Sequence, residues 1–197
     1  MKKLILIFNK HNGLSRMKTI KEAGIHPRLV ARALKEGVIE KIKPGLYRLK
    51  DYPYDANSSL YQVHAAVPSA VIALISAAVY HELTTANPSD IYIAVPRNKS
   101  KINLTYPPVK VFYFSDLFYK NGVETVKSKH GRFRIYTPEK TICDLFRYQK
   151  KMGESIAIEA LRNYSTRRNR DLNKLITMAK RCRVEKIITP ILKGLVG

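Results

Sequence analysis

The chain has 197 residues, room for one mid-sized domain or two small ones, and 36 Lys and Arg against 15 Asp and Glu leave a formal charge of +21. With 45% hydrophobic residues and only 9 Gly and 10 Pro it can fill a packed core, which excludes wholesale disorder and collagen-like architectures. A folded protein this basic repels itself unless an anion compensates it, and the usual anions are nucleic acid, acidic lipid or an acidic protein face.

The segment opens with MKKLILIFNKHNG, whose five apolar residues from Leu4 to Phe8 fall short of a secretory core, so a cytoplasmic protein is expected. Lys3 to Asn9 reads as a helix ended by Gly13. Ser15 is the expected N-cap of a second helix from Arg16 to Ala23, which Gly24 breaks. His26-Pro27 opens a third helix, with Pro27 preorganised at its first position, and Gly37 closes it. Val38, Ile42, Leu46 and Leu49 then alternate with basic residues around Lys43-Pro44-Gly45, the pattern of a short hairpin. This order predicts a winged helix-turn-helix domain over residues 1–51.

Ile20, Ala23, Ile25, Leu29, Val30, Ala33 and Leu34 are expected to bury one face of the helix pair. The opposite face of the third helix presents His26, Arg28, Arg32 and Lys35, with Arg28 and Arg32 neighbours at a spacing of four. Two guanidinium groups so placed suit base edges or phosphates of duplex DNA. Lys41, Lys43 and Arg48 on the hairpin, and Arg16 and Lys18 at the start of the second helix, complete the candidate DNA-binding set.

Residues 52–197 form the expected C-terminal domain, mixed α/β and ending in helices, so the fold class predicted for the whole chain is α+β. After the loop-like DYPYDANSS, Ser58 to Tyr80 carries no formally charged residue. His64, Pro68 and Ser69 interrupt this run and alanine is frequent in it, so it predicts a buried helix centred on residues 69–83 rather than a membrane span of about 20 apolar residues. Residues 91–95, 109–114 and 133–138 read as strands. Thr137 and Pro138 start a helix with Ile142, Cys143, Leu145 and Phe146 on its apolar face and Glu139 and Asp144 at the surface or clasping a neighbour. Amphipathic helices follow over Ser155–Tyr164 and Leu172–Lys180, then a shorter segment from Val184 to Leu195 that Pro190 kinks or divides.

Residues 1–51 hold 13 basic and 4 acidic side chains, net +9, and the remainder net +12, concentrated in residues 97–134 and 162–193. The second domain is therefore also expected to meet an anion, either DNA phosphates or an acidic protein face. Cys143 and Cys182 lack both a disulfide framework and zinc-ligand spacing, and read as reduced, buried thiols. Asp90 before a strand and Lys99 after it resemble a nuclease core only faintly, because IYIAVPRNK offers no second carboxylate. His81-Glu82 lacks the second His of a metalloprotease helix. No phosphate loop or nucleophile elbow is present, so a non-enzyme without cofactor or metal is expected. A metal-dependent nuclease and a basic RNA-binding protein are the competing readings.

The wing sequence PGLYRL, followed by ALISAAVYHELTTANPSDIYIAVP and RFRIYTPEKTICDLFRYQKKMGESIAIEALRNY, resembles the AbiEi antitoxins of type IV, abortive-infection toxin-antitoxin systems. Gly45 and Tyr47, Ala73 to Ser76, and Pro138-Glu139-Lys140-Thr141 with Asp144-Leu145 carry the likeness, which runs on through RNRDLNKLITMAKRCRVEKIITPIL. The resemblance implies an N-terminal winged helix that binds inverted repeats in its own promoter and represses the operon. It also implies a C-terminal domain that counteracts a nucleotidyltransferase-like toxin, in a class described without a stable toxin-antitoxin complex. Because that family uses C-terminal basic residues alongside the winged head, Arg167, Arg168 and Arg170 at a helix entrance are the further DNA-contact candidates.

Overall fold

The computed structural model describes residues 1–53, 56–104, 106–128 and 130–196, with only the backbone of Val196. Tyr54 and Asp55 of the expected loop and Lys129 of the basic stretch lie outside the described residues. The chain divides into two compact units, the first made of residues 1–68, 101–109 and 126–133 and the second of the rest.

The first unit opens with α1 (Lys2–Lys10), which buries Leu4 and Phe8, one turn apart on the same face. Gly13 follows at φ +75°, and a Cβ there would lie 2.5 Å from the Tyr52 ring, so the chain needs glycine at this close approach. Next comes a strand that the sequence reading did not anticipate, β1 (Leu14–Arg16). Ser15 sits inside it, buried and opposite Tyr47, and does not cap the next helix. Pairing with a neighbouring strand engages the backbone of three successive residues, whereas a cap satisfies a single N–H. The helix α2 (Met17–Glu22) consequently starts after Arg16 without a side-chain cap.

Helix α3 (Pro27–Lys35) begins where the Pro predicts, with His26 as its cap. The hairpin β2 (Ile39–Lys43) and β3 (Leu46–Leu49) is antiparallel, with a bulge between Lys41 and Lys43. The three strands are ordered β1-β3-β2. Of the apolar face expected on the helix pair, Ile20, Ile25, Val30 and Ala33 join Leu4, Phe8, Ile39, Tyr47 and Leu49 in one core, and Leu29 and Leu34 pack at its margin. Each large aliphatic side chain so buried contributes about 1.5–3 kcal/mol of transfer free energy. Helix α4 (Ser58–Ala66) also belongs to this unit.

In the second unit the predicted single helix over 69–83 is instead a two-residue strand, β4 (Val71–Ile72), and a short helix, α5 (Leu74–Tyr80). The β-branched pair Val71-Ile72 suits the middle of a sheet, and Leu74 at φ +50° turns the chain out of the strand. The remaining elements are β5 (Ile91–Pro96), β6 (Val109–Phe114), α6 (Asp116–Lys120), β7 (Val123–Ser128), β8 (Gly131–Tyr136), α7 (Pro138–Arg147), α8 (Gln149–Met152), α9 (Glu154–Ser165), α10 (Leu172–Cys182) and α11 (Glu185–Val196). The sheet order is β6-β5-β4-β8-β7, with β4 antiparallel to β5 and parallel to β8. The end of β7 and the start of β8 count with the first unit. Pro190 lies within α11, which continues through it. No helix among the described residues is long and apolar enough to cross a membrane.

Helix α7 supplies the centre of the second unit. Thr137 caps it by accepting from the Lys140 N–H at 3.4 Å, and Pro138 takes its first position. Lys140 and Asp144, four residues apart, are both fully buried and ion-paired, with the Lys140 ammonium 4.3 Å from the centroid of the Tyr136 ring and 5.1 Å from that of Phe114. Burial pushes the Asp144 carboxyl above its ordinary range, against the pull of Lys140 and Arg147. Burial also acts to raise Glu139, but hydrogen bonds from its own backbone, Tyr164 and Lys174 prevail and hold its carboxyl below the ordinary value. Of the two places allowed for these acids, surface or clasp, the structure takes the clasp. Cys143 and Cys182 are both buried and free of disulfide.

Candidate nucleic-acid interface

The first unit presents α3 through a short chain of local causes. Gly24 at φ +75° ends α2 and reverses the chain. The His26 ring accepts the Arg28 N–H at Nδ1 over 3.2 Å, so the side chain closest to the turn is committed to capping while its ring stays exposed. Val30 and Ala33 then face the core, leaving Arg28, Arg32 and Lys35 exposed. At 100° per residue these three cations fall within about 60° of one another around the helix.

They differ in what already holds them. Arg32 donates to Glu36 at 2.6 Å, an exposed pair four residues apart. Arg28 and Lys35 are exposed, and among the described residues no acidic side chain lies within salt-bridge distance of either. Lys18 is 3.9 Å from Glu22 on α2. Arg16 donates to the carbonyl of Ala65 at 2.7 Å, and Lys43 donates to that of Ala66. Lys41 projects from β2 into solvent opposite Tyr47.

Arg48 is the least available of the hairpin cations. It pairs with Glu40 across the strands at 2.5 Å and lies 4.3 Å from the centroid of the Tyr106 ring. Burial alone would lower its pKa, yet Glu40 and Tyr106 raise it, so the guanidinium stays charged within this clamp. Sequence reasoning named Arg48 but missed both partners. Glu40 could have been found from the hairpin register, while Tyr106 comes from a distant segment that carries no local signal.

The C-terminal candidates belong to the second unit and divide in the same way. Arg167 donates to the carbonyls of His81 and Glu82, the latter at 3.1 Å, satisfying the end of α5. Arg170 donates to the Arg167 carbonyl at 3.0 Å, and Arg168 is exposed. His81 is itself structural, its Nε2 2.7 Å from the Tyr136 carbonyl and its pKa lowered chiefly by burial. Asp90 accepts from Ser89 at 3.2 Å and lies 3.8 Å from Lys110. Among the described residues no three His, Cys, Asp or Glu side chains cluster as metal ligands.

The crystal structure of the RV2827C protein from Mycobacterium tuberculosis superimposes with a TM-score of 0.57 at 12% identity, over 98% of this chain and 80% of that one, a likeness of fold alone. No curated protein matches the chain. The sequence of the segment that builds α1 to β3 is more telling: residues 3–50 match the model of a family described as AbiEi antitoxin transcriptional regulators.

Proposed function

We propose that the protein is a DNA-binding antitoxin whose residues 1–51 act as a winged helix-turn-helix, with α3 as the recognition helix and β2–β3 as the wing. The observation that carries this reading is the exposed cationic face of α3, set opposite a packed core within the segment that matches the regulator family. Arg28, with Arg32 and Lys35 beside it, enters the major groove, and Lys41 and Lys18 reach flanking phosphates. His26, Arg16, Lys43 and Arg48 hold the frame around these contacts through the bonds described above.

On this reading the target is an inverted repeat in the promoter of the protein's own operon, which binding represses. Residues 52–197 counteract a nucleotidyltransferase-like toxin, and exposed cations such as Arg168 add phosphate contacts. No step of this function calls for a metal, a cofactor or catalysis.

Gel-shift titration of the full chain on its promoter DNA tests the proposal. Arg28→Ala should weaken specific binding by about 1–3 kcal/mol, roughly 5- to 150-fold in Kd, and relax the sequence preference at one half-site position. Binding that does not weaken steeply between about 50 and 200 mM salt would falsify the phosphate-contact model.

A further inference from the structure

Within the first unit, β1, the start of α2, α4 and the start of β8 enclose a cleft of about 380 Å³, the size range of a small-molecule site. Its lining includes His11, Ser15, Arg16, His64, His130 and Arg132, and none of the described lining residues is Asp or Glu. A cleft with two guanidinium groups, three imidazoles and no carboxylate is complementary to an anion.

Three features favour a site prepared for a ligand over a chance gap between charges. Ser15 is 3% exposed, and its Oγ has no hydrogen-bond partner among the described residues, an uncompensated cost that a ligand oxygen would remove. Arg16 is fixed by its bond to the Ala65 carbonyl, which uses one of its five donors and leaves the others oriented without further loss of side-chain freedom. Gly131 at φ +141° lies 3.4 Å from the Tyr61 ring when given a Cβ, so this wall of the cleft is tightly set.

We propose that this cleft binds a phosphorylated small molecule of nucleotide size, its phosphate oxygens held by Arg16, Arg132 and Ser15. A single backbone phosphate would fill only part of the volume, which favours a free nucleotide over a DNA strand as the source of the anion. The proposal does not depend on the α3 surface, because none of its residues lies on that helix.

The test is titration of the full chain with ATP and with inorganic pyrophosphate, followed by calorimetry and by amide shifts of residues around the cleft. Saturable binding is expected, weakened about tenfold or more by Arg132→Ala and several-fold by Ser15→Ala. Neither variant should lower the urea midpoint, since Arg132 is exposed and Ser15→Ala removes a buried hydroxyl that bonds nothing among the described residues. Absence of saturable binding up to about 10 mM overturns the proposal, as does binding that neither substitution weakens. Shifts at these residues with duplex DNA but not with ATP or pyrophosphate would likewise overturn it, assigning the cleft to the DNA backbone.

Discussion

Lys140→Met probes the buried pair at the heart of the second unit. The substitution keeps the length of the side chain, so it removes the charge without opening a large cavity. Asp144 would then remain fully buried with Arg147, at 3.8 Å from its other oxygen, as the nearest cation. Breaking a buried pair by removing one partner costs about 3–5 kcal/mol, and the residual attraction of Arg147 places the expected loss near the lower figure. Urea unfolding, followed by far-UV circular dichroism and by the fluorescence of the 12 tyrosines in this Trp-free chain, measures it. The double substitution Lys140→Met with Asp144→Leu should recover most of the loss, because a well-packed apolar pair dispenses with desolvation altogether. The pH dependence has a definite sign. In the single variant the folded state holds the Asp144 proton more tightly than the unfolded chain, so its deficit shrinks as the pH falls through the raised folded-state value. A loss below about 1 kcal/mol at pH 7 would refute the idea that the pair is desolvated and mutually dependent.

Three other outcomes follow from the same geometry. Arg167→Ala should lower the thermal midpoint through loss of about 1.5–3 kcal/mol, whereas Arg168→Ala should leave stability within about 0.5 kcal/mol and reduce DNA affinity instead. Glu36→Gln releases Arg32 and removes an opposing charge, so it should tighten promoter binding several-fold in gel shifts and steepen its salt dependence. Glu139 has a folded-state pKa below its unfolded value near 4.3, so its contribution is complete above that pH and is lost as the pH falls through the lower value. Glu139→Gln should therefore flatten the acid limb of a stability-versus-pH curve measured between about pH 5 and 2.

What the sequence revealed and what it hid follow one physical division. His26-Pro27, Thr137-Pro138, Gly24 and Gly37 act through their own backbone preferences, so both ends of α3 and the start of α7 were legible locally. β1 was not, because three residues gain strand character only from β3, and Ser15 alone looks like a cap. β4 was hidden inside an apolar run whose residues suit a buried helix equally well, and its neighbours β5 and β8 decide the outcome. The candidate site divides likewise. Charge and helix face were readable for Arg28, Arg32 and Lys35, whereas the pairing of Arg32 with Glu36, four residues on, was missed. That Arg16, Lys43, Arg48 and Arg167 already hold partners depends on contacts distant in sequence, which no local pattern encodes.

The stacking of Arg48 on Tyr106 has a consequence for biosynthesis. The first unit draws on residues 101–109 and 126–133 as well as on its first 68, and Ser128 donates to the Tyr61 hydroxyl at 2.8 Å within it. A chain emerging from the ribosome at about 5–20 residues per second therefore exposes the cationic head well before its last strand ends arrive. For several seconds α1–β3 exists without the Tyr106 face of its hairpin, and part of the second unit is synthesised inside this interval. The two units are thus threaded through each other in time, and a nascent fragment released after residue 51 would carry the charges of the head without the segments that complete its unit.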